Sequence, residues 1–243
     1  MKKNTTNNVT TATVFEMEAA INRAKRQPTI REFREKYGVT ITLAMTAKME
    51  GVAGVTTSVL ENPYCKARRG ICGMVCAKCY AAAGLARKAN VPECYARNTK
   101  ALTTQIIPID DLPHLYSETG YFRFESFGDI STEMQVVNYF NMAAVNPHMK
   151  CALWTKNPWI IREAMKHYGI EKPQNLVIIG SSYYTDKAMS FDAYGFIDKV
   201  FTVYTKQYAA ENGIEINCGG RSCAECGRCY ENYGGRYVNE LLK

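Results

Sequence analysis

From residue 121 onward, apolar runs alternate with amphipathic ones at a near-constant interval. YFRFESFGD (121–129) reads as a strand ending in a polar turn, and KCALWTK (150–156), NLVIIGSSYY (175–184) and KVFTVYTK (199–206) read as three more. Short runs rich in β-branched and aromatic residues, bounded by polar ones, are strand signals. In TEMQVVNYFNMAAV (132–145), Met134, Val137, Phe140 and Ala144 share a helical face, and Thr132 with Gln135 has the spacing of a capping box. NPWIIREAMKHYG (157–169) is bounded as a helix by Asn157 as cap, Pro158 in the first turn and Gly169 as stop. The strand starts lie 24 to 29 residues apart, the period of strand–helix units on a parallel sheet.

Upstream, residues 1–12 are a polar Thr/Asn-rich arm. VFEMEAAINRAKR (14–26) and PTIREFREKYG (28–38) predict two short helices, with Pro28 in a first turn and Gly38 as C-terminal cap. VTITLAM (39–45) predicts a strand. Three regions follow: an arm with helices over 1–38, an α/β body over 39–210 and a cysteine-rich extension over 211–243. A closed eight-unit barrel takes about 250 residues, whereas 39–210 holds room for five or six units. The expected fold is a partial, open (β/α)5–6 barrel, with a doubly wound sheet as second choice. Either architecture puts reactive groups at the C-terminal strand ends. Those ends carry Ser126, Gly128 and Asp129; Thr155, Lys156 and Asn157; Ser181, Ser182 and Tyr183; and Thr205 and Lys206.

Composition narrows the chemistry. No stretch reaches the roughly 20 apolar residues of a membrane span, and no apolar run follows the N-terminal lysines. A cytoplasmic protein is expected. In a reducing compartment its 10 cysteines argue for metal or redox chemistry rather than a disulfide framework. Cys72, Cys76 and Cys79 form C-x3-C-x2-C in CGMVCAKCY (72–80). Structural zinc usually takes paired C-x2-C knuckles and four ligands, whereas three thiolates at this spacing suit a [4Fe–4S] cube with one iron lacking a cysteine. Cys65, seven residues before Cys72, is the alternative fourth ligand. Cys218, Cys223, Cys226 and Cys229 form a second set in NCGGRSCAECGRCY, suited to one local [4Fe–4S] cluster or one zinc. Cys151 reads as a core residue and Cys94 as a plain helix residue. The formal charge of +7 falls to about +4 with two clusters in place. The remainder weakly favours an anionic partner such as nucleic acid.

CGMVCAKC resembles the signature of the radical SAM superfamily. The resemblance implies a partial (β/α)6 barrel, three cluster irons held by Cys72, Cys76 and Cys79, and S-adenosylmethionine on the fourth. It further implies that Ser126, Gly128 and Asp129 stand near the SAM amino group and that Ser181 or Ser182 faces the ribose. Lys156 is a candidate for a carboxylate or phosphate. The resemblance also makes the C-terminal set an auxiliary cluster and requires an external electron donor. Lys78 stands where the superfamily usually has an aromatic residue. CYA (79–81) together with FRFESFGD resembles instead a phage-encoded cysteine-rich family. That resemblance implies a non-enzymatic iron–sulfur or zinc protein in the host cytoplasm, closed at Cys65, binding nucleic acid or a host protein.

Overall fold

The computed structural model describes residues 27–44, 47–85 and 89–242, so the helix expected over 14–26 lies outside the described residues. Among these, seven strands form one sheet in chain order. They are β1 (Thr42–Leu43), β2 (Ala53–Val55), β3 (Tyr121–Phe124), β4 (Lys150–Thr155), β5 (Leu176–Ser181), β6 (Lys199–Tyr204) and β7 (Tyr237–Leu241). β1 runs antiparallel to β2, and all later neighbours are parallel. The protein is α/β, and its sheet is open rather than closed into a barrel. The connections between β3 and β6 pack on one face of the sheet, whereas the one between β6 and β7 packs on the other.

The helices are α1 (Ile30–Tyr37), α2 (Pro63–Arg69), α3 (Tyr80–Leu85), α4 (Val91–Thr103), α5 (Glu133–Ala144), α6 (Pro158–Tyr168), α7 (Lys206–Glu211) and α8 (Cys223–Cys226). Strand periodicity sorts the core into two. Phe122, Phe124, Cys151, Leu153, Leu176 and Ile178 meet Val136, Phe140, Ile160 and Ile161 from α5 and α6. The alternate positions Tyr121, Ala152, Trp154, Val177, Ile179 and Phe201 face the other way and pack against Tyr230, Cys223 and Cys229. The cysteine-rich segment is therefore built into the body, covering one face of the sheet before supplying β7 as its last strand. Among the described residues, no helix is long and apolar enough to cross a membrane.

Several local expectations need correction. Thr29, not Pro28, starts α1: its hydroxyl accepts from Glu32 N–H while Glu32 accepts from Thr29 N–H at 2.7 Å. Gly38 does end α1, at φ 72°. Thr132 caps α5 by accepting from Gln135 N–H, but the Gln135 side chain bonds Ser131 and Glu125 instead of closing a capping box. VTITLAM yields only the antiparallel edge β1; the first parallel strand is β2, within the Gly/Thr-rich GVAGVTTSV. Its apolar run is too short and too glycine-rich to stand out. No helix lies between β5 and β6.

Gly180, next to the C-terminal end of β5, faces the ring of buried Phe191. A methyl there would sit 2.7–2.8 Å from three ring carbons. Gly180→Ala should cost about 1–3 kcal/mol by overpacking, lowering the melting temperature by roughly 3–10 °C. Gly180→Ala/Phe191→Leu should recover part of that loss in the same thermal scan.

Candidate functional site

The C-terminal ends of β3 and β4 are tied together by one carboxylate. Asp129, fully buried after β3, accepts from Thr155 Oγ1 at 2.7 Å, from Lys156 N–H at 3.0 Å and from Ile130 N–H at 2.9 Å. Burial pushes its carboxyl up, against Thr155, Lys156 and Arg68, which favour the charged form. Arg68 of α2 approaches it at 3.7 Å and also donates to Lys156 O and Asn157 Oδ1. The guanidinium lies over the Tyr183 and Trp159 rings, with 5.0 and 5.5 Å to the centroids. Lys156 Nζ reaches along the rim to Ser181 Oγ at 2.8 Å. Three expected site residues, Asp129, Lys156 and Ser181, thus meet on one rim. Asp129 is engaged on all sides by the protein, while Lys156 and Ser181 hold each other. Ser126 is half-buried, with its N–H on Thr56 Oγ1. Gly128 is packed so closely that a methyl would fall on Glu125 Oε2 and within 2.7 Å of Thr57 O. Lys206, expected at the C-terminal end of a strand, is exposed.

The first cysteine loop is attached to this rim. Val75 N–H donates to Tyr183 O at 2.8 Å, and Met74 bridges Tyr184. Cys76 is half-buried; burial pushes its thiol up, while the positive charges of Lys156 and Arg68 pull it down. Cys65, on α2, lies within electrostatic reach of Asp129, Cys76, Glu125 and Cys79; burial and then those charges push its thiol well up. Cys72 is exposed. Cys65 and Cys79 pack against the same small apolar cluster of Val59, Ala81, Ala82 and Leu85.

The second set occupies the sheet face opposite the main core. Cys223, Cys226 and Cys218 all act on Cys229, whose thiol rises to about 12, burial first and the neighbouring sulfurs next. Two cations oppose them. Lys48 Nζ lies 3.0 Å from Cys218 Sγ and 3.0 Å from Glu240 Oε1. Burial opposes its charge, but Cys218 and Glu240 outweigh that and raise its pKa. Arg123 of β3 stacks on Trp154 at 3.8 Å and, with Lys48, favours the thiolate of Cys223 against its burial. Tyr230 closes the set, stacked on Tyr121 at 4.5 Å.

Among the described residues, no three His, Cys, Asp or Glu side chains are gathered tightly enough to hold a metal ion. The chemistry of the donors nevertheless fits a thiolate-bound centre. Arg123 Nε and Tyr230 Oη are buried without a hydrogen-bond partner among the described residues, and an anionic sulfur-ligated group beside Cys223 and Cys229 would supply an acceptor to each. At the rim, Arg68 and Lys156 stand ready to compensate thiolate charge. A surface cleft of about 250 Å³ near Tyr37, Arg97 and Lys100 includes neither cysteine set.

A family model described as Gene product 88 matches residues 19–235, nearly the whole chain. The chain belongs to the Gene product 88 family. This agrees with the phage-encoded alternative rather than with the radical SAM resemblance. No curated protein and no solved structure matches the chain.

Sequence reasoning missed several members of these sites. Arg68 sat in the basic run KARRG, where nothing distinguished a buried guanidinium from solvated neighbours. Lys48 and Arg123 come from segments far from the cysteines they face. His114 and His148, far apart in sequence, stack their rings at 4.6 Å. Cys151 is buried in β4, as expected of a core residue. Glu125 is the largest omission. It is fully buried in left-handed backbone, at φ 59°, a strained conformation for a residue other than glycine. Its carboxyl accepts from Tyr139 Oη at 2.5 Å, Gln135 Nε2 at 2.6 Å, Thr57 Oγ1 at 2.8 Å and Thr57 N–H at 3.1 Å.

Burial pushes Glu125 up to about 7, against these donors. An acid whose pKa rises on folding contributes stability that is complete below the unfolded value and lost as pH rises through the folded one. Stability should therefore fall between about pH 4.5 and 8, by up to ~3 kcal/mol from this residue. Urea midpoints at pH 5.5 and 8 measure it. Glu125→Gln should flatten the dependence; an unchanged slope in that variant would contradict the assignment.

Proposed function

We propose that the protein is a radical SAM-type iron–sulfur protein on a partial (β/α) barrel, acting in the cytoplasm of the host cell. The observation that carries the reading is positional. The loop with Cys72, Cys76 and Cys79 follows β2, the first of six parallel strands in sequential order. It sits beside a rim where Lys156, Ser181, Arg68 and Asp129 converge. Cys72, Cys76 and Cys79 would hold a [4Fe–4S] cluster, and the chemistry that the cluster would supply there is one-electron reductive cleavage of SAM. An external donor re-supplies the electron. The chain's own contribution is orientation and exclusion of water. Lys156 offers charge to the methionyl carboxylate, and Ser181 offers a hydroxyl to the ribose. Asp129 holds the β3 and β4 ends in place for them; with its oxygens already engaged, it acts as a positioning residue rather than as the acceptor for the SAM ammonium. The Cys218, Cys223, Cys226 and Cys229 set would hold a second cluster, or zinc in the alternative.

A second reading is favoured by one observation: Cys65 and Cys79 pack against the same small apolar cluster. If Cys65 is a ligand, the first site is closed and the protein is a non-enzymatic iron–sulfur or zinc protein. Anaerobic reconstitution with iron and sulfide, followed by SAM and dithionite, separates the two. The radical reading expects 5′-deoxyadenosine from wild type and from Cys65→Ala, and none from Cys76→Ala. No product from wild type, with iron lost in Cys65→Ala, selects the closed site.

A further inference from the structure

Three aromatic rings form a ledge between the first cysteine loop and the rim. Phe127, in the turn after β3, stacks on half-buried Tyr95 of α4, with centroids 6.4 Å apart. Tyr80, next to Cys79 at the start of α3, meets the same Phe127 edge-on at 6.2 Å. Tyr80 is 73% exposed and Phe127 42%. Tyr95 is half-buried and forms the floor of the ledge, and the two outer rings are exposed to solvent. Exposed rings side by side at a candidate site call for an occupant that is itself flat and apolar on its faces.

Charge specifies the rest of that occupant. Between Glu61 and Glu93 the chain carries six Lys or Arg residues and no acid. Lys66 on α2 and Lys78 two residues before Tyr80 are exposed, and Arg69 is half-buried. α2 packs directly on the turn that carries Cys76 and Lys78. Arg68, by contrast, is consumed inside the protein by Asp129 and Asn157. Tyr80 is therefore flanked by one sign of charge on both sides in sequence. Flat rings beside unopposed cations match a polymer of bases on an anionic backbone. The bases must be unpaired, because a duplex hides their faces within its stack.

We infer that the Tyr80–Phe127 ledge with Lys66, Arg69 and Lys78 binds single-stranded nucleic acid, one base stacking on the outer rings and its phosphates lying along the basic loop. This deepens the proposed function by naming its substrate class, and it rests on that reading only for the chemistry, not for the binding. The bound strand passes the cysteine loop, so a base displaced from its neighbours is delivered to the rim of Lys156 and Ser181.

Fluorescence anisotropy with a labelled mixed-sequence 12-nucleotide DNA strand, on the reconstituted full chain at 50 and 200 mM salt, tests the inference. Tyr80→Ala/Phe127→Ala should weaken binding at least tenfold, and Tyr80→Phe, which keeps the ring, should bind as wild type. Lys66→Glu/Lys78→Glu should weaken binding and make the log–log salt slope shallower by about 1 to 2. An annealed duplex of the same sequence should bind at least tenfold more weakly than the strand. The inference is overturned if the double ring variant binds as wild type, if duplex and strand bind equally, or if polyglutamate displaces the strand as well as unlabelled DNA does; the last outcome makes an acidic protein the occupant. Assaying 5′-deoxyadenosine on the same preparations separates the two claims. Strand binding without product leaves this inference and ends the enzymatic reading, and product without strand binding does the reverse.

Discussion

The Asp129–Arg68 contact is a buried ion pair on which the candidate site depends. Taking two charges out of water costs several kcal/mol each unless hydrogen bonds and geometry repay it. Here the repayment is complete: Asp129 receives three further donors from Thr155, Lys156 and Ile130, and Arg68 reaches Lys156 O, Asn157 and two aromatic faces. The pair joins the ends of β3 and β4 to α2, and α2 carries Cys65. Val75 then ties the following cysteine loop to Tyr183 beyond β5. Rim side chains and thiols are held at fixed positions because a buried charge with one partner removed costs about 3–5 kcal/mol. Glu125, packed under Gly128, braces the same turn from below.

The two cysteine sets share a design on opposite sides of the structure. Each draws thiols from one continuous stretch and at least one cation from elsewhere in the chain: Lys156, beside the local Arg68, at the rim, and Lys48 and Arg123 on the opposite sheet face. Burial alone keeps thiols protonated and inert. Paired cations shift that balance toward the thiolate, the form that binds metal. The orphaned Arg123 Nε and Tyr230 Oη belong to the same logic, since buried donors are seldom left without an acceptor.

Local pattern made much of this legible. β3 to β6, α5 and α6 follow from periodicity and caps that are written in adjacent residues, and both cysteine sets are local in sequence. What stayed hidden depends on distance along the chain. β2 is three residues with glycine at its centre and β7 mixes polar with apolar residues, and they are strands only because a neighbour is there to pair with. Arg68 reads as one cation among several until Asp129, 61 residues later in the sequence, is placed beside it. Glu125 looks like the polar end of a strand, and only the packing of Thr57, Gln135 and Tyr139 turns it into a buried acid. The Tyr80–Phe127–Tyr95 ledge likewise draws its rings from three separate segments.

The central claim is an iron at the first site left without a cysteine ligand and open to SAM. Electron paramagnetic resonance of the reduced, reconstituted protein, recorded with and without SAM in a Cys223→Ala/Cys226→Ala background, reads that iron directly. The account predicts that SAM shifts the g values of the remaining cluster signal. A signal of full intensity that SAM leaves unchanged would contradict it.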